Sequence, residues 1–420
     1  MKDIPLFTSW LDIPEGSDFS IYNIPFGVFK TQQQSARCCT AIGNYVVDLA
    51  SLAEHGYFNS LHVTPDLFRQ VYLNDFISLG KEHTIKVRER LIELLLKDNH
   101  ELQDKKEIHA VVFYKQDAVT MLMPVKVGDY TDFYSSKEHA TNVGTMFRDP
   151  SNALLPNWKH LPVAYHGRAS SIVVSGTPLI RPKGQFKGKD DAIPSFGPTR
   201  SLDYELEIGF VIGKSSTLGE SISTGQAEQY IFGFLLFNDW SARDIQSWEY
   251  VPLGPFLAKN FMSSASPWII TQEALAPYRI NGPVQDVAVL PYLQYEGARN
   301  YDIELEIELQ PENSEAQCIS RSNFKYMYWN SCQQLAHHTV NGCNVNVGDI
   351  MASGTISGST RDSAGCLLEQ TRNGQEPITL KDGTTRKFLQ DGDAVIMKGF
   401  AGKEGVRVGF GVVKGTVVGR

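Results

Sequence analysis

Two glutamates separated by a single position, Glu205 and Glu207, interrupt the apolar stretch at residues 202–212. If this stretch is a β-strand, side chains at i and i+2 leave the same face, so two carboxylates point into one space about 6 to 7 Å apart. Like charges at that range repel each other, and a buried carboxylate either takes up a proton or finds a cation. The spacing therefore indicates a place where a cation would offset two negative charges.

Two more acids accompany other apolar segments. Asp239 follows the apolar run at residues 231–237, and Asp132 lies in a short aromatic segment at residues 130–134. Together with the two glutamates they form a set of carboxylates typical of an all-oxygen site for a hard divalent cation.

Each acid also has an ordinary interpretation. An aspartate at the end of a strand usually caps a turn, and a Glu-x-Glu strand usually turns its polar face to water at the edge of a sheet. Leu206 and Ile208 alternate with the glutamates, and the run continues with the apolar residues 210–212. Both faces of the strand are therefore expected to be covered, which favours the cation site.

His139 follows Asp132 closely, and a short helix between them would place the imidazole beside the cation. Most single histidines are structural or exposed, so a general-base role is one of two interpretations. The closeness to Asp132 favours the catalytic one.

The segment after Asp239 offers further polar groups. In a helix, Arg243, Gln246 and Tyr250 lie on one side at positions i, i+3 and i+7, where they would converge on a ligand. The alternative is an amphipathic surface helix in which Arg243 pairs with a neighbouring acid.

Lys259 is the only cation in the apolar stretch at residues 256–261. It either offsets the charge of the acids or extends its ammonium to solvent. Four carboxylates and one divalent ion leave a formal charge of about −2, which Lys259 and Arg243 would bring close to neutral, as a buried site requires.

Length and charge limit the class of protein. At 420 residues the chain exceeds the size at which one hydrophobic core keeps growing, so two domains are expected. A net charge of −8 and a pI near 5.7 argue against a nucleic-acid or membrane partner, because both favour basic patches. A small anionic substrate stays compatible with a locally positive pocket.

The cysteines indicate a reducing compartment. None of the six forms a C-x-x-C or zinc-type pattern, and they are too few for a disulfide framework in a chain of this length. The N-terminus has no signal-peptide pattern, and no run of about 18 apolar residues is present. We therefore expect a soluble cytoplasmic protein.

The pattern of residue types along the sequence changes near residue 124. Before it, short strands at 38–42 and 45–49 are joined by a Gly-Asn hairpin signal, and apolar residues between 85 and 96 recur at helical spacing. Residues 1–123 are therefore expected to form a small β-rich domain that carries no chemistry of its own.

Residues 124–420 are expected to form the second domain, in which short β segments dominate. One long helix is predicted at about residues 324–341, with His337 and His338 in its last turn, where they suit the exposed carbonyls better than a ligand. Strands are predicted at 390–399 and 406–418, with turns at 391–392 and 414–415. The fold class is mostly β with some helix (α+β).

Five segments of the sequence strongly resemble the fumarylacetoacetate hydrolase family. They lie at residues 128–136, 139–144, 161–171, 238–246 and 354–359. The resemblance covers most of residues 120–420 and is looser before them. It implies a small SH3-like N-terminal β domain, a C-terminal mixed β-roll, a homodimer, and Ca2+ and/or Mg2+ as cofactor.

The resemblance also implies roles for individual residues. The implied metal ligands are Asp132, Glu205, Glu207 and Asp239; the catalytic groups are His139, with Glu369 behind it, Arg243, Gln246 and Lys259; the substrate contacts are Tyr134, Arg148, Tyr165, Arg243, Tyr250 and Thr355. A second cation site at Asp239, Lys259 and Ser263 is implied less directly, because Met262 and Ser263 replace a glycine and a threonine of the family.

The implied activity is hydrolysis of the carbon–carbon bond of 4-fumarylacetoacetate to fumarate and acetoacetate, the last step of tyrosine and phenylalanine degradation. Related folds act on acylpyruvates or catalyse decarboxylation and tautomerisation of oxo acids. Outside enzymes, the acids would serve a calcium-stabilised structural or binding protein. An open coordination position that faces His139 would favour the hydrolase.

Overall fold

The computed structural model describes residues 7–252, 254–403 and 405–419. Its three larger sheets and its helices form a mixed α+β fold with an N-terminal and a C-terminal part, which confirms the fold class expected from the sequence. No helix in these ranges is long and apolar enough to cross a membrane.

The N-terminal part is a five-stranded antiparallel sheet surrounded by helices, so it contains more helix than its hairpin signals indicate. Its elements are β1 (Phe26–Lys30), β2 (Arg37–Ile42), β3 (Tyr45–Asp48), β4 (Phe113–Lys115), β5 (Thr120–Leu122), α1 (Leu49–Glu54), α2 (Pro65–Phe68), α3 (Asn74–Ser78), α4 (Lys81–Leu95), α5 (His100–Gln103) and α6 (Lys106–Val112). The sheet order is β4-β3-β2-β1-β5. The expected hairpin is β2–β3, and the expected helix is α4.

The C-terminal part is built mainly from strands. These are β6 (Tyr130–Phe133), β7 (Ala164–His166), β8 (Ile172–Val174), β9 (Leu179–Ile180), β10 (Lys183–Phe186), β11 (Ser195–Pro198), β12 (Leu202–Asp203), β13 (Leu206–Ile212), β14 (Ile231–Asp239), β15 (Ser241–Ala242), β16 (Ser263–Ala265), β17 (Ile270–Thr271), β18 (Arg279–Ile280), β19 (Asn300–Tyr301), β20 (Ile303–Gln310), β21 (Gln317–Asn323), β22 (Ile350–Ala352), β23 (Ile378–Thr379), β24 (Thr385–Arg386), β25 (Ala394–Ala401) and β26 (Val408–Val418).

Short helices connect these strands. The α-helices are α7 (Lys137–Phe147), α8 (Ala227–Tyr230), α9 (Arg243–Glu249), α10 (Gln272–Leu275), α11 (Ser331–Thr339) and α12 (Leu367–Gln370). The 3-10 helices of the chain are Asn59–Leu61, Gln116–Ala118, Pro150–Asn152, Ala169–Ser171, Ala276–Tyr278, Pro291–Leu293, Phe324–Tyr326 and Arg361–Ser363.

The central layer is a large sheet of order β7-β6-β22-β13-β14-β16-β8, in which β17 also pairs with β14. Alternate residues of its strands enter different cores. Ile208 and Phe210 pack into the core shared with the β21-β20-β25-β26-β9 sheet, whereas Val211 and Leu235 pack into the core shared with the N-terminal part. The central sheet is therefore covered on both faces, as the apolar pattern of β13 indicates.

Two local predictions are wrong. The helix expected at 324–341 begins only at Ser331, because the Asn330 side chain accepts a hydrogen bond from the Gln333 amide and forms a capping box. The turn expected at 414–415 lies inside the uninterrupted strand β26. Gly415 is needed there for close packing: a Cβ atom would lie 2.4 Å from the Trp240 ring. The turn at 391–392 is present.

Candidate active site and metal centre

The four predicted acids come together at one end of the central sheet. One carboxylate oxygen each from Asp132, Glu205, Glu207 and Asp239 lies within 4.8 Å of the others, and all four residues are buried. Glu207 points to the same face of β13 as Val211, which packs toward the N-terminal part. The face that buries apolar side chains along most of the strand thus buries carboxylates at its end.

Glu205 differs in detail from the expectation of one continuous strand, because it lies between β12 and β13. Its carbonyl oxygen accepts a hydrogen bond of 3.2 Å from the Asp239 amide. Its own amide donates to the Asn238 side-chain oxygen at 3.1 Å. These bonds hold Glu205 against the end of β14 and align its carboxylate with the other three.

Two oxygens of the cluster have no hydrogen-bond partner among the described residues. They are Oδ1 of Asp132 and Oε1 of Glu207. The second oxygen of Asp132 accepts from the Tyr130 hydroxyl at 3.0 Å, and that of Glu207 accepts from the Gly354 amide at 3.2 Å. Buried carboxylate oxygens without donors fit an oxygen-coordinated divalent cation.

Burial and mutual repulsion shift these two carboxyl groups in the same direction. Burial, followed by the charge of Asp239, raises the pKa of Asp132 well above its usual range. Burial, followed by the charges of Asp132 and Asp239, does the same for the pKa of Glu207. The protein alone therefore favours protonation of both groups, whereas a bound cation would favour their ionised form.

Glu205 is paired with cations of the protein. Arg243 donates from Nη1 to Glu205 Oε1 at 2.7 Å, and Lys259 donates to Glu205 Oε2 and lies 3.0 Å from Asp239 Oδ2. Although burial opposes ionisation, the charges of Lys259 and Arg243 hold the pKa of Glu205 below its usual range. Arg243 is buried and not on an exposed helix face, although it pairs with acids as the alternative expected. Lys259 is also buried rather than extended to solvent.

A histidine–glutamate pair lies beside the cluster. His139 is in the first turn of α7, and its Nδ1 atom lies 2.7 Å from Oε2 of Glu369. If Nδ1 carries the proton, Nε2 is free to accept one, as a general base requires. The Gly354 amide donates to Glu207 at 3.2 Å, and the Ser357 hydroxyl three residues later donates to Glu369 at 2.7 Å, so one short segment connects the cluster with the pair.

Glu369 is held by several donors that the sequence did not indicate. Its carboxylate accepts from Asn142 Nδ2 at 2.9 Å and from Ser357 Oγ at 2.7 Å. Despite burial, His139 and these two donors lower the pKa of Glu369 to about 2. Asn142 could have been found from its i+3 spacing to His139 on a helix; nothing in the sequence places Ser357 there.

Cys366 completes the surroundings of Glu369. Its thiol lies 3.2 Å from Glu369 Oε2, and His139, Cys366 and Glu369 are close enough to share a metal ion. Burial and the charge of Glu369 raise the pKa of the Cys366 thiol well above its usual range, so sulfur remains protonated and donates a hydrogen bond. The Cys366 thiol therefore adds a hydrogen bond to the network around Glu369.

The predicted polar contacts fall into two sets. At the site, Gln246 Oε1 accepts from Arg243 at 3.1 Å, the Tyr165 hydroxyl donates to Asp239 at 2.6 Å, and the Tyr134 ring lies edge-on to His139 at 5.1 Å. Thr355 is buried and follows Gly354, whose amide donates to Glu207. Those not brought to the site are Arg148, which donates to the Ala153 carbonyl at 2.6 and 3.1 Å, and Tyr250, whose side chain is exposed.

The residues of the expected second cation site also adjoin each other. The Ser263 hydroxyl donates to Asp239 Oδ1 at 2.8 Å, and Lys259 contacts the other oxygen of the same carboxylate. A cavity of about 400 Å³ opens beside them, with Tyr165 and Phe256 in its wall. Lys259 and Ser263, which both contact Asp239, also line this cavity.

Comparison with known proteins identifies the family. Residues 129–418 match the family model described as fumarylacetoacetate (FAA) hydrolase C-terminal, and residues 22–124 match the one described as fumarylacetoacetase N-terminal. The chain belongs to the fumarylacetoacetate hydrolase family.

Relatives in this family align over nearly the whole chain. Proteins named fumarylacetoacetase from Dictyostelium discoideum, Arabidopsis thaliana and Homo sapiens are 52%, 48% and 49% identical, each over 98% of this chain and at least 98% of its own length. The similarity is thus to whole proteins of the same organisation.

Solved structures support the fold. A fumarylacetoacetate hydrolase from Exiguobacterium antarcticum matches with a TM-score of 0.54 at 18% identity, covering 94% of this chain and 100% of that chain. A maleylpyruvate hydrolase from Sphingobium matches with a TM-score of 0.51 at 14% identity and the same coverage.

Proposed function

We propose that this chain, a hydrolase of the fumarylacetoacetate hydrolase family, cleaves 4-fumarylacetoacetate to fumarate and acetoacetate, the last step of tyrosine and phenylalanine degradation. The observation that carries the proposal is that a buried cluster of four carboxylates adjoins a buried histidine–glutamate pair, in a chain that aligns end to end with fumarylacetoacetases.

Asp132, Glu205, Glu207 and Asp239 would hold a divalent cation, Ca2+ and/or Mg2+, because the ligands are all oxygens and two of those oxygens lack donors among the described residues. Such an ion supplies Lewis-acid stabilisation of the negative charge that develops on the dicarbonyl end of the substrate, worth several kcal/mol. Whether Asp239, Lys259 and Ser263 hold a second cation would be read from the number of ions bound per chain.

His139 acts as the general base. Its Nε2 atom takes a proton from water while Nδ1 donates to Glu369, which fixes the tautomer and stabilises the imidazolium that forms. The resulting hydroxide forms a carbon–oxygen bond at the carbonyl next to the fumaryl group. The bond from that carbonyl to the acetoacetyl carbon then breaks, and the imidazolium returns its proton to this carbon.

Arg243, Gln246 and Lys259 surround the developing oxyanion. Nη2 of Arg243 is buried without a hydrogen-bond partner among the described residues, so one donor is available for an incoming oxygen. Losing one donor of this kind typically slows a reaction about 100- to 1000-fold. Tyr134, Tyr165 and Thr355 would contact the substrate from the cluster side, and Arg148 and Tyr250 would reach it only after turning inward.

A hydrolysis assay with and without chelator tests the proposal. Purified chain should remove the ultraviolet absorbance of fumarylacetoacetate, release fumarate and acetoacetate, and lose this activity with EDTA until Ca2+ or Mg2+ is restored. A turnover rate that stays unchanged in the metal-free protein would contradict the role of the cation. A preference for an acylpyruvate would support the related hydrolase activity, and the absence of turnover of either substrate would support a structural role for the cluster.

The proposal extends to the oligomeric state and the cellular compartment of the protein. A homodimer accords with the exposed apolar side chains of Trp248, Val251 and Leu257, and sedimentation would measure it. A cytoplasmic location accords with six free cysteines, since reducing conditions keep thiols unpaired.

A further inference from the structure

We infer that Asp203 is a positioning residue that couples the two halves of the site, because one carboxylate fixes both Arg243 and the backbone that carries Glu369. The inference rests on the proposed function for the catalytic roles of those two residues. Asp203 itself touches neither the proposed cation nor the substrate.

Both oxygens of Asp203 are fully used. Oδ1 accepts from the Leu367 amide at 2.8 Å and Oδ2 from the Leu368 amide at 2.9 Å. Oδ2 also accepts from Nε of Arg243 at 2.9 Å. Asp203 has no exposed surface, so solvent cannot replace any of these contacts.

On one side, Asp203 fixes the start of α12. The first amides of a helix lack partners within the helix. Cys366, the N-cap residue of α12, provides no side-chain hydrogen bond to them. Asp203 supplies the acceptor from a distant strand. Glu369 follows Leu368 directly, so the carboxylate that orients His139 extends from backbone held by Asp203.

On the other side, Asp203 fixes Arg243. The strands β12 and β15 pair with Asp203 opposite Ser241, and the Arg243 amide donates to the Ser201 carbonyl at 2.9 Å. With Nε bound to Asp203, Nη1 of Arg243 donates to Glu205 and Gln246. The charge of Asp203 also offsets that of Arg243 next to the cation ligands.

An Asp203→Asn variant keeps the shape of the side chain but removes its charge and one acceptor oxygen. An amide nitrogen in place of Oδ1 would cost α12 one hydrogen bond, and an amide nitrogen in place of Oδ2 would cost both α12 and Arg243 a hydrogen bond. Removing a negative charge close to Glu205 should weaken cation binding. Loss of a residue that orients a metal ligand typically costs about 10- to 100-fold in affinity or activity.

A matched control is available in Asp393. It is also a buried aspartate, bound to an arginine, Arg386, through both oxygens at 2.8 and 2.9 Å, and it accepts a backbone amide as well. Asp393 contacts none of the site residues named above. An Asp393→Asn variant therefore reports what the loss of a buried Asp–Arg pair does to the fold alone.

The test combines calorimetry with a double-mutant cycle on the full chain. For Asp203→Asn we expect Ca2+ affinity to fall about 10-fold or more, with affinity unchanged in Asp393→Asn. The turnover number of Asp203→Asn should also fall. When Glu369→Gln is added, the combined loss should be smaller than the product of the two separate losses, because part of the effect of Asp203→Asn passes through Glu369. Circular dichroism with Ca2+ present selects conditions in which every variant is folded.

Two results would overturn the role of Asp203. The first is an Asp203→Asn variant that loses thermal stability like Asp393→Asn but keeps wild-type Ca2+ affinity and turnover. The second is a double variant in which the effects of Asp203→Asn and Glu369→Gln multiply independently. If Asp203→Asn does not fold, the milder Asp203→Glu, which keeps the charge but moves both oxygens, takes its place and should keep more of the Ca2+ affinity than of the turnover. If the wild-type chain does not hydrolyse fumarylacetoacetate, the proposed function fails, while calorimetry still decides the coupling to the cation ligands.

Discussion

Two buried glutamates of this site, Glu207 and Glu369, have opposite surroundings. Glu369 accepts hydrogen bonds from His139, Asn142 and Ser357, and its pKa is lowered to about 2. Glu207 accepts a single amide on Oε2, Oε1 has no partner among the described residues, and burial next to other acids raises its pKa. Protein groups satisfy the hydrogen bonding of the Glu369 carboxylate, whereas one oxygen of the Glu207 carboxylate has no donor among the described residues.

Under the proposed function, this difference separates a positioning group from a cation ligand. A carboxylate that is fully hydrogen-bonded is fixed in place and can orient a base. A carboxylate that is buried with an unpaired oxygen costs free energy until a cation binds. For this pair of glutamates, completeness of hydrogen bonding separates the residue that orients His139 from the residue proposed to bind the cation.

Removal of the base that Glu369 orients should have the largest effect. His139→Ala should lower the turnover of fumarylacetoacetate about 100- to 10,000-fold, because the base that activates water is lost. Cation affinity, measured by calorimetry, should stay near that of the wild type, since the cluster keeps all four carboxylates. Near-normal turnover in a folded, cation-loaded variant would remove His139 from the mechanism.

The two glutamates should respond differently to amide substitution. Glu207→Gln should reduce Ca2+ or Mg2+ affinity at least about 10-fold yet leave the metal-free protein as stable as the wild type or more so, because it removes a buried charge without a partner. Glu369→Gln should lower stability with or without cation, because it breaks a buried pair. Thermal unfolding of both variants, with Ca2+ and with EDTA, provides the measurement; equal losses in the metal-free state would contradict the distinction.

The pH dependence of stability should also have opposite signs. The folded-state pKa of Glu369 is lowered from 4.5 to about 2, so its contribution is present above pH 4.5 and is lost as pH falls toward 2. The pKa of Glu207 is raised in the folded state, so in metal-free protein its destabilising effect at neutral pH should diminish as pH falls. Unfolding free energies of wild type minus each Gln variant, measured across pH without metal, should slope in opposite directions.

The sequence predicted the proposed cation ligands more readily than the residues that position the catalytic groups. The i, i+2 spacing of Glu205 and Glu207 indicates two carboxylates on one face because the strand period is local. The pairing of His139 with Glu369 joins residues far apart in the chain, so only the family resemblance suggested it. Ser357 and Asp203 came only from the structure, since nothing in their local sequence shows what they contact.

The fold shows the same limit. The hairpin β2–β3 and the helix α4 follow from local turn and periodicity signals. The interruption before α11 depends on the capping by Asn330, which competes with a helical pattern that extends further back. The extended conformation at Gly415 depends on the Trp240 ring packed against it. A tertiary contact overrode local preference at Gly415, whereas at Asn330 one local signal, capping, prevailed over another, helical periodicity.

The smallest expected effect comes from removing a single hydrogen-bond donor of Glu369. Ser357→Ala removes one of its donors and should cost about 1 kcal/mol of stability, with turnover reduced about 10-fold if orientation of His139 depends on the complete set. Its matched control is Ser320→Ala, which removes a buried serine that donates to the Ala364 carbonyl at 2.7 Å. A loss of turnover equal in the two variants would mean that Glu369 does not need its full set of donors, and the contrast with Glu207 would then rest on charge alone.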